Sequence, residues 1–279
     1  MEDSLVDKML HMTGNSREEK EAGAAISRRL HTDSLGKNLL YLDECTSTND
    51  IAKKVALENI THGFTIIANS QIKGRGRHGR KWVSPKGGIW MTVILRPPFG
   101  SSILQGLPLI GAVSIVNSIR GQLKIDARLR WPNDVMVNGR KLAGTIAESH
   151  WQGGLLQFVL LGMGVNANFN ATEITEANLA ATTLLDIHRA PVDRTSLTCS
   201  ILQELERLLL LAERNEEKFL ALIRTIDCSI GSKVRIHLEQ GTINGFFKDY
   251  NSANSVRITS KTETAIVETS SAVLVDYET

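Results

Sequence analysis

Nine consecutive residues, Lys73-Gly-Arg-Gly-Arg-His-Gly-Arg-Lys81, hold five lysines or arginines and three glycines. Glycine lets backbone approach a ligand closely, turned backbone amides cradle anions, and arginine forks match phosphate and carboxylate geometry. The interleaving points to an anion-binding loop rather than a solvated surface turn. It is not a Walker loop, because the GxxxxGK[ST] spacing is absent. Nor does it suit a dinucleotide fingerprint, where five long cationic side chains would crowd a turn built for close helix packing.

Three further clusters could carry chemistry. Trp131-Pro-Asn-Asp134 reads on its own as a turn beside a core tryptophan, with a second reading in which Asn133 and Asp134 face a ligand or a magnesium ion. Lys141 follows a hairpin turn in an otherwise apolar strand. It is equally an edge lysine with its head in water or a fixed cation facing a carboxylate or phosphate. Gly162-Met-Gly-Val-Asn166 ends an apolar strand, where glycines mark either a bulge or the close approach of a ligand. None of the seven histidines has HExxH spacing, and there is no GxSxG, so nucleophilic hydrolysis has no support.

The elements that must position these residues are legible in outline. Strands are expected at Leu39–Leu42, Phe64–Ala68 and Gly88–Leu95, the last closed by Pro97-Pro98. Thr46-Ser-Thr-Asn-Asp50 caps a helix through Ile51, Val55 and Leu57, and residues 103–122 read as helical despite Pro108. Asn138-Gly139 suits a two-residue hairpin turn, and Gly153-Gly154 makes another before Leu155–Val165. Residues 195–226 carry helical periodicity. Five short strands then recur between residues 234 and 275, the pattern of a small β-barrel. The middle lacks the regular strand–helix alternation of a doubly wound fold. Residues 1–38 are read as a short appendage with one capped helix from Ser16, residues 39–228 as the main domain, and residues 229–279 as the barrel.

Composition narrows the class. At 279 residues with 42% hydrophobic content, the chain can bury a large core without staples. A net charge of +2 argues against a general polyanion binder. Three scattered cysteines form no CxxC, which fits a reducing compartment. The opening Met-Glu-Asp-Ser is no secretory signal, and a soluble cytoplasmic protein is the default expectation.

Taken together these segments resemble biotin protein ligases. The resemblance rests on Ser47-Thr-Asn49, Gln71 with Gly74-Arg-Gly-Arg-His-Gly-Arg80, Trp82, Ser84-Pro85, Arg130-Trp-Pro-Asn-Asp134, Lys141-Leu-Ala-Gly144 and Gly162-Met-Gly-Val-Asn166, in that order over residues 39 to 170. It implies an α/β (α+β) catalytic domain like that of class II aminoacyl-tRNA synthetases, with a mixed, mainly antiparallel sheet, followed by an SH3-like barrel. It implies that biotin and ATP are the substrates, with Mg²⁺, and that biotinyl-5′-AMP forms first. Biotin then passes to a lysine of a biotin carboxyl carrier protein. On this reading Lys141, Arg75 and Arg77 are the catalytic cations. Ser47, Thr48, Asn49, Gln71, Arg75, Gly76, Arg77, Lys141, Gly144, Gly162 and Gly164 meet biotin or the adenylate, the last three glycines leaving room for it. Arg77, Arg80, Trp82, Asn133, Asp134 and Asn166 lie on the ATP side, and Asp134 and Asn166 face the metal.

One departure is Ile72-Lys73 after Gln71, where relatives carry a smaller or more polar pair. The resemblance leaves a homodimer open. The leader lacks a helix-turn-helix pattern and balances seven acidic against six basic residues, so specific DNA binding and repression are not expected. A lipoate ligase of the same fold is the nearest enzyme alternative, and a non-enzymatic nucleic-acid-binding module is the other.

Overall fold

The computed structural model describes residues 16–58, 60–97, 101–174, 181–260 and 263–278. Residues 1–15 of the leader, and Pro98, lie outside them.

Seven strands form the main sheet: β1 (Leu39–Cys45), β2 (Thr65–Gln71), β3 (Ile89–Leu95), β4 (Arg128–Arg130), β5 (Asp134–Val137), β6 (Arg140–Gln152) and β7 (Leu155–Val165). Their spatial order is β1-β2-β3-β7-β6-β5-β4. Only β1 and β2 run parallel; the other pairs are antiparallel. This is the mixed, mainly antiparallel sheet expected. Asn138 and Gly139 take positive φ at 50° and 73°, the turn that their sequence favours between β5 and β6.

The helix α1 (Arg17–Arg29) starts at a capping box in which Ser16 and Glu19 satisfy each other's backbone N–H. Its Ile26, with Leu30 and Leu35 beyond it, joins the main core. Glu206 then accepts hydrogen bonds from the N–H groups of Asp33, Ser34 and Leu35 at 2.6, 2.8 and 3.0 Å. The helix α2 (Thr48–Leu57) lies against β2, β3 and β7. The helix α3 (Ser101–Leu123) passes through the core with Pro108 inside it. Among the described residues, its Ile103–Leu123 stretch alone is long and apolar enough to cross a membrane, but 72% of the apolar window is buried inside the protein. A helix apolar on all sides belongs in a large core.

After the short α4 (Leu184–His188), the periodic stretch at 195–226 is two helices rather than one, α5 (Arg194–Arg214) and α6 (Glu216–Ile226). Asn215 breaks them with extended backbone at φ −156°, and its side chain accepts the N–H of Lys218 at 3.0 Å. An asparagine followed by two glutamates is an N-cap with an acidic first turn, which ends one helix and starts the next while leaving the apolar spacing intact.

The C-terminal strands β8 (Lys233–Leu238), β9 (Gly241–Ser252), β10 (Ser255–Thr259), β11 (Thr264–Glu268) and β12 (Leu274–Glu278) form a five-stranded antiparallel sheet, ordered β11-β10-β9-β8-β12. One apolar core runs without a break from the main sheet into this one, through Trp131, Phe247, Tyr250 and Val256.

Asp227 marks the join. Its carboxylate accepts hydrogen bonds from Tyr250 Oη and from the N–H groups of Ser229 and Ile230. Burial nevertheless dominates and pushes its pKa up to about 6. A raised carboxyl pKa favours the protonated folded state. The stability it contributes is therefore complete below the unfolded value of 3.8 and is lost as pH rises through about 6. Asp227→Asn should remove that loss. Relative to the parent, the variant is expected to gain up to about 3 kcal/mol between about pH 4 and about pH 7, read from denaturant titrations. An unchanged difference at the two pH values would refute the assignment.

Candidate active site

The cavity lies on the main sheet between the N-terminus of α2, the basic loop and β6–β7, with a volume of about 180 Å³. Its walls include Ser47, Thr48, Asn49, Gln71, Arg75, Gly76, Arg77, Arg80, Trp82, Asn133, Lys141, Gly144, Gly162, Gly164 and Asn166. Of the residues expected to be catalytic or to meet biotin, ATP or the metal, only Asp134 is not part of the lining. Met91, Ile146 and Met163 add an apolar portion that sequence reading did not identify.

At one end is a polar cluster. Ser47 occupies the N-cap of α2 but makes no capping bond, so its hydroxyl lines the cavity. Gln71 Oε1 accepts the Thr48 N–H at 2.8 Å, while its Nε2 donates to Ser84 Oγ at 2.9 Å. The buried Thr92 Oγ1 lies 2.6 Å from Asn49 Oδ1 and 2.8 Å from Thr48 Oγ1. Asn49 Nδ2 donates to Glu148 at 2.7 Å. Thr92 and Glu148 were not expected here. Thr92 interrupts a continuous apolar strand and Glu148 lies in the mixed outer half of β6, and nothing local marks either.

The basic loop is tied down by its own backbone and by carboxylates. Gly76 N–H donates to Arg80 O at 2.7 Å and Trp82 N–H to Gly74 O at 2.9 Å. Arg75 pairs with Asp50 and, at 3.2 Å, with Glu148. Burial works against its charge, but these two carboxylates outweigh burial and hold its pKa up. Arg77 reaches the connection between β11 and β12, donating to the carbonyls of Thr269 and Ala272 at 3.1 and 2.6 Å. Burial, with Arg80 nearby, pushes its pKa down. Both of these expected catalytic cations thus already have partners. Ile72 is 61% exposed and points its side chain away from the core. Its N–H still pairs with Cys45 O at 2.9 Å.

Lys141 is the third cation. The β5–β6 ladder carries a register shift between Val135 and Met136, so that Met136 faces Lys141 while Val135 faces Ala143. The extra residue re-aims one strand face. Lys141 therefore shares a face with Gly144, three positions on. Its ammonium contacts the Asp134 carboxylate and sits 5.1 Å from the centre of the Trp82 ring. The second Asp134 oxygen receives Arg130 Nη2 at 2.9 Å. Burial pushes the Asp134 carboxyl up, yet the charges of Lys141 and Arg130 bring it below its ordinary value.

Of the two residues expected at the metal, Asp134 is already engaged. Both Asp134 oxygens are committed to cations, and Asn166 Nδ2 is turned back to Thr182 O at 3.0 Å. Among the described residues no group of three or more His, Cys, Asp or Glu side chains could hold a metal. Asn133 is likewise a brace, its Nδ2 donating to Thr145 O at 2.7 Å.

The glycines also make room within the wall itself. A Cβ on Gly162 would stand 2.6 Å from Asn49 Oδ1, and one on Gly164 would stand 2.7 Å from Trp82 Nε1. One on Gly144 would crowd Lys141 Cε at 3.3 Å and Trp82 at 3.4 Å. The missing methyls make room for the side chains that line the cavity. Trp82 Nε1 is buried and has no hydrogen-bond partner in the protein, a costly state for an indole N–H.

Comparison with known proteins identifies the family. The profile of the biotin/lipoate A/B protein ligase family matches residues 41–166. A biotin–[acetyl-CoA-carboxylase] ligase of Mycobacterium tuberculosis is 33% identical over 201 residues, covering 70% of this chain and 73% of that one. The bifunctional ligase/repressor BirA of Bacillus spizizenii is 30% identical over 226 residues, covering 77% of this chain and 67% of that protein. The solved biotin protein ligase of Aquifex aeolicus in complex with biotin and ATP superposes with a TM-score of 0.73 at 26% identity, over 87% of this chain and all of that one. The chain belongs to the biotin protein ligase family, and is a ligase whose substrates are biotin and ATP.

Proposed function

We propose that the cavity binds biotin with its ureido ring among Ser47, Thr48, Asn49 and Gln71, its aliphatic chain against Met91, Ile146 and Met163, and its carboxylate toward Lys141. The observation that carries this reading is one small cavity combining hydrogen-bonding amides and hydroxyls, an apolar wall and an ammonium. Those are the three chemistries of biotin in one outline.

In the first step a carboxylate oxygen attacks the α-phosphorus of ATP. The bond from that phosphorus to the bridging oxygen breaks, and pyrophosphate leaves. Two anions must approach, so fixed positive charge lowers the barrier. Lys141 lies between them, and Arg77 and Arg80 face the phosphates. Arg77 exchanges its two neutral carbonyl partners for charged ones, which make stronger hydrogen bonds. The orphan Trp82 N–H gains its partner from the bound ligand. In the second step the amine of an acceptor lysine attacks the anhydride carbonyl carbon, the bond to the phosphate oxygen breaks, and AMP leaves. The acceptor is a biotin carboxyl carrier protein. Magnesium, when bound, neutralises the nucleotide phosphates. The residues present supply no carboxylate cage for it.

Residues 39–228 carry this chemistry and residues 229–279 brace it, with the described part of the leader, residues 16–38, packed alongside. The residues of the proposed site all come from one chain, and a cytoplasmic enzyme acting on a carrier protein is the setting that we propose for it.

Incubation with biotin, ATP and Mg²⁺ should yield biotinyl-AMP by mass spectrometry, and lipoate in place of biotin should not yield its adenylate. No biotin adenylate, or an equal yield with lipoate, would refute the proposal. Because the ligand draws Arg77 and Arg80 inward, trypsin should cut the free protein within residues 75–80 and cut it far more slowly with biotin and ATP present. Equal cutting in both states would contradict closure over the adenylate.

A further inference from the structure

We propose that Asp134 is a positioning residue for Lys141, and that Arg130 and Tyr277 complete a support reaching the site from the C-terminal sheet. This rests on the role of Lys141 given above. The chain of contacts is continuous. Lys141 meets one Asp134 oxygen, and Arg130 Nη2 meets the other at 2.9 Å. The Arg130 guanidinium carbon lies 5.4 Å from the centre of the Tyr277 ring. Tyr277 Oη donates to Trp131 O at 2.5 Å and lies 3.1 Å from Ser229 Oγ, which accepts the Trp131 N–H at 2.9 Å.

The arrangement resolves a conflict in the site. A lysine on a flexible four-carbon stem needs a partner to stay in place. A lone carboxylate would hold it but cancel the charge that the reaction uses. Arg130 restores the balance: one carboxylate between two cations leaves a net positive charge beside the cavity. The three side chains are only 15–20% exposed, so water screens this charge weakly. Arg130 and Asp134 are directly opposed across the β4–β5 ladder, which fixes their geometry through the backbone. The Tyr277 ring, from the last strand, covers the outer face of Arg130 with its negative π surface.

The test is a double-mutant cycle on biotin- and ATP-dependent pyrophosphate release. Arg130→Met should slow the reaction about 10- to 100-fold, as losses of residues that orient reacting groups do, with the change in kcat rather than in KM for either substrate. Arg130→Lys should recover most of it. Tyr277→Leu should lose more than Tyr277→Phe, which keeps the ring. In a Lys141→Ala background, Arg130→Met should cost less than about 2-fold more, because the residue it supports is gone. If Arg130→Met does not fold by circular dichroism, the isosteric Asp134→Asn runs the same cycle. A loss of equal size in both backgrounds, or no loss in the parent, overturns the proposal. A Lys141→Ala enzyme of normal rate overturns the role of Lys141 itself, and this proposal with it.

Discussion

Lys141→Ala is expected to slow formation of biotinyl-AMP by tens to thousands of fold, about 2–4 kcal/mol in the barrier. The ammonium is placed by a register shift in β6 and shares a carboxylate with Arg130, so it is fixed before substrate arrives. Charge that needs no reorganisation at the moment of reaction is worth most where water is excluded. The fold should survive, since Asp134 keeps Arg130 as its partner and no apolar group leaves the core. The loss should be smaller when biotinyl-AMP is supplied and only transfer to the acceptor is followed, because the two anions have already been joined. Stopped-flow measurement of pyrophosphate release separates the steps. Release at the parental rate would remove Lys141 from the chemistry.

Trp131→Ala is expected to lower stability by about 3–5 kcal/mol, the range for a large buried aromatic. Trp131 is 1% exposed, meets Phe247 edge-on at 5.8 Å between ring centroids, and donates from Nε1 to Thr269 Oγ1 at 3.3 Å. It stands where the two sheets share their core, so the hole opens between them. Thermal unfolding should remain one cooperative transition with its midpoint lower by on the order of 10 °C. Two separated transitions in the parent would show that the C-terminal sheet melts as a unit of its own and that the shared core does not couple the two.

The parts of the fold that sequence revealed are those with local causes. Asn138-Gly139 announces its turn because few residues accept two successive positive φ angles. Ser16 and Glu19 announce a helix start for a similar reason. The basic loop was visible because glycine and arginine alternate over nine positions. What escaped was set by distant partners. Asp50 and Glu148 neutralise Arg75, and Glu148 lies 73 residues away in the chain. The carbonyls that hold Arg77 come from 192 and 195 residues further on. Asp134 invited a metal assignment because carboxylates in turns often bind one, and only the folded register shows both its oxygens already taken. Asn215 divides two helices while leaving the apolar spacing intact, which periodicity cannot detect.

The space around Trp82 ties distant positions together as one unit of variation. A methyl at Gly164 would occupy the ground held by the indole nitrogen, and one at Gly144 would press on both the indole and the Lys141 stem. Gly164 cannot be enlarged unless the indole moves, Gly144 only if the lysine stem and the indole give by a few tenths of an ångström, and a smaller side chain at 82 would leave a void over the lysine. Drift at these sites must come as matched exchanges: a larger residue at 164 tolerated only beside a reduced one at 82. Libraries that randomise the site one position at a time would find these three fixed, while libraries that vary them jointly could reach differently shaped acids.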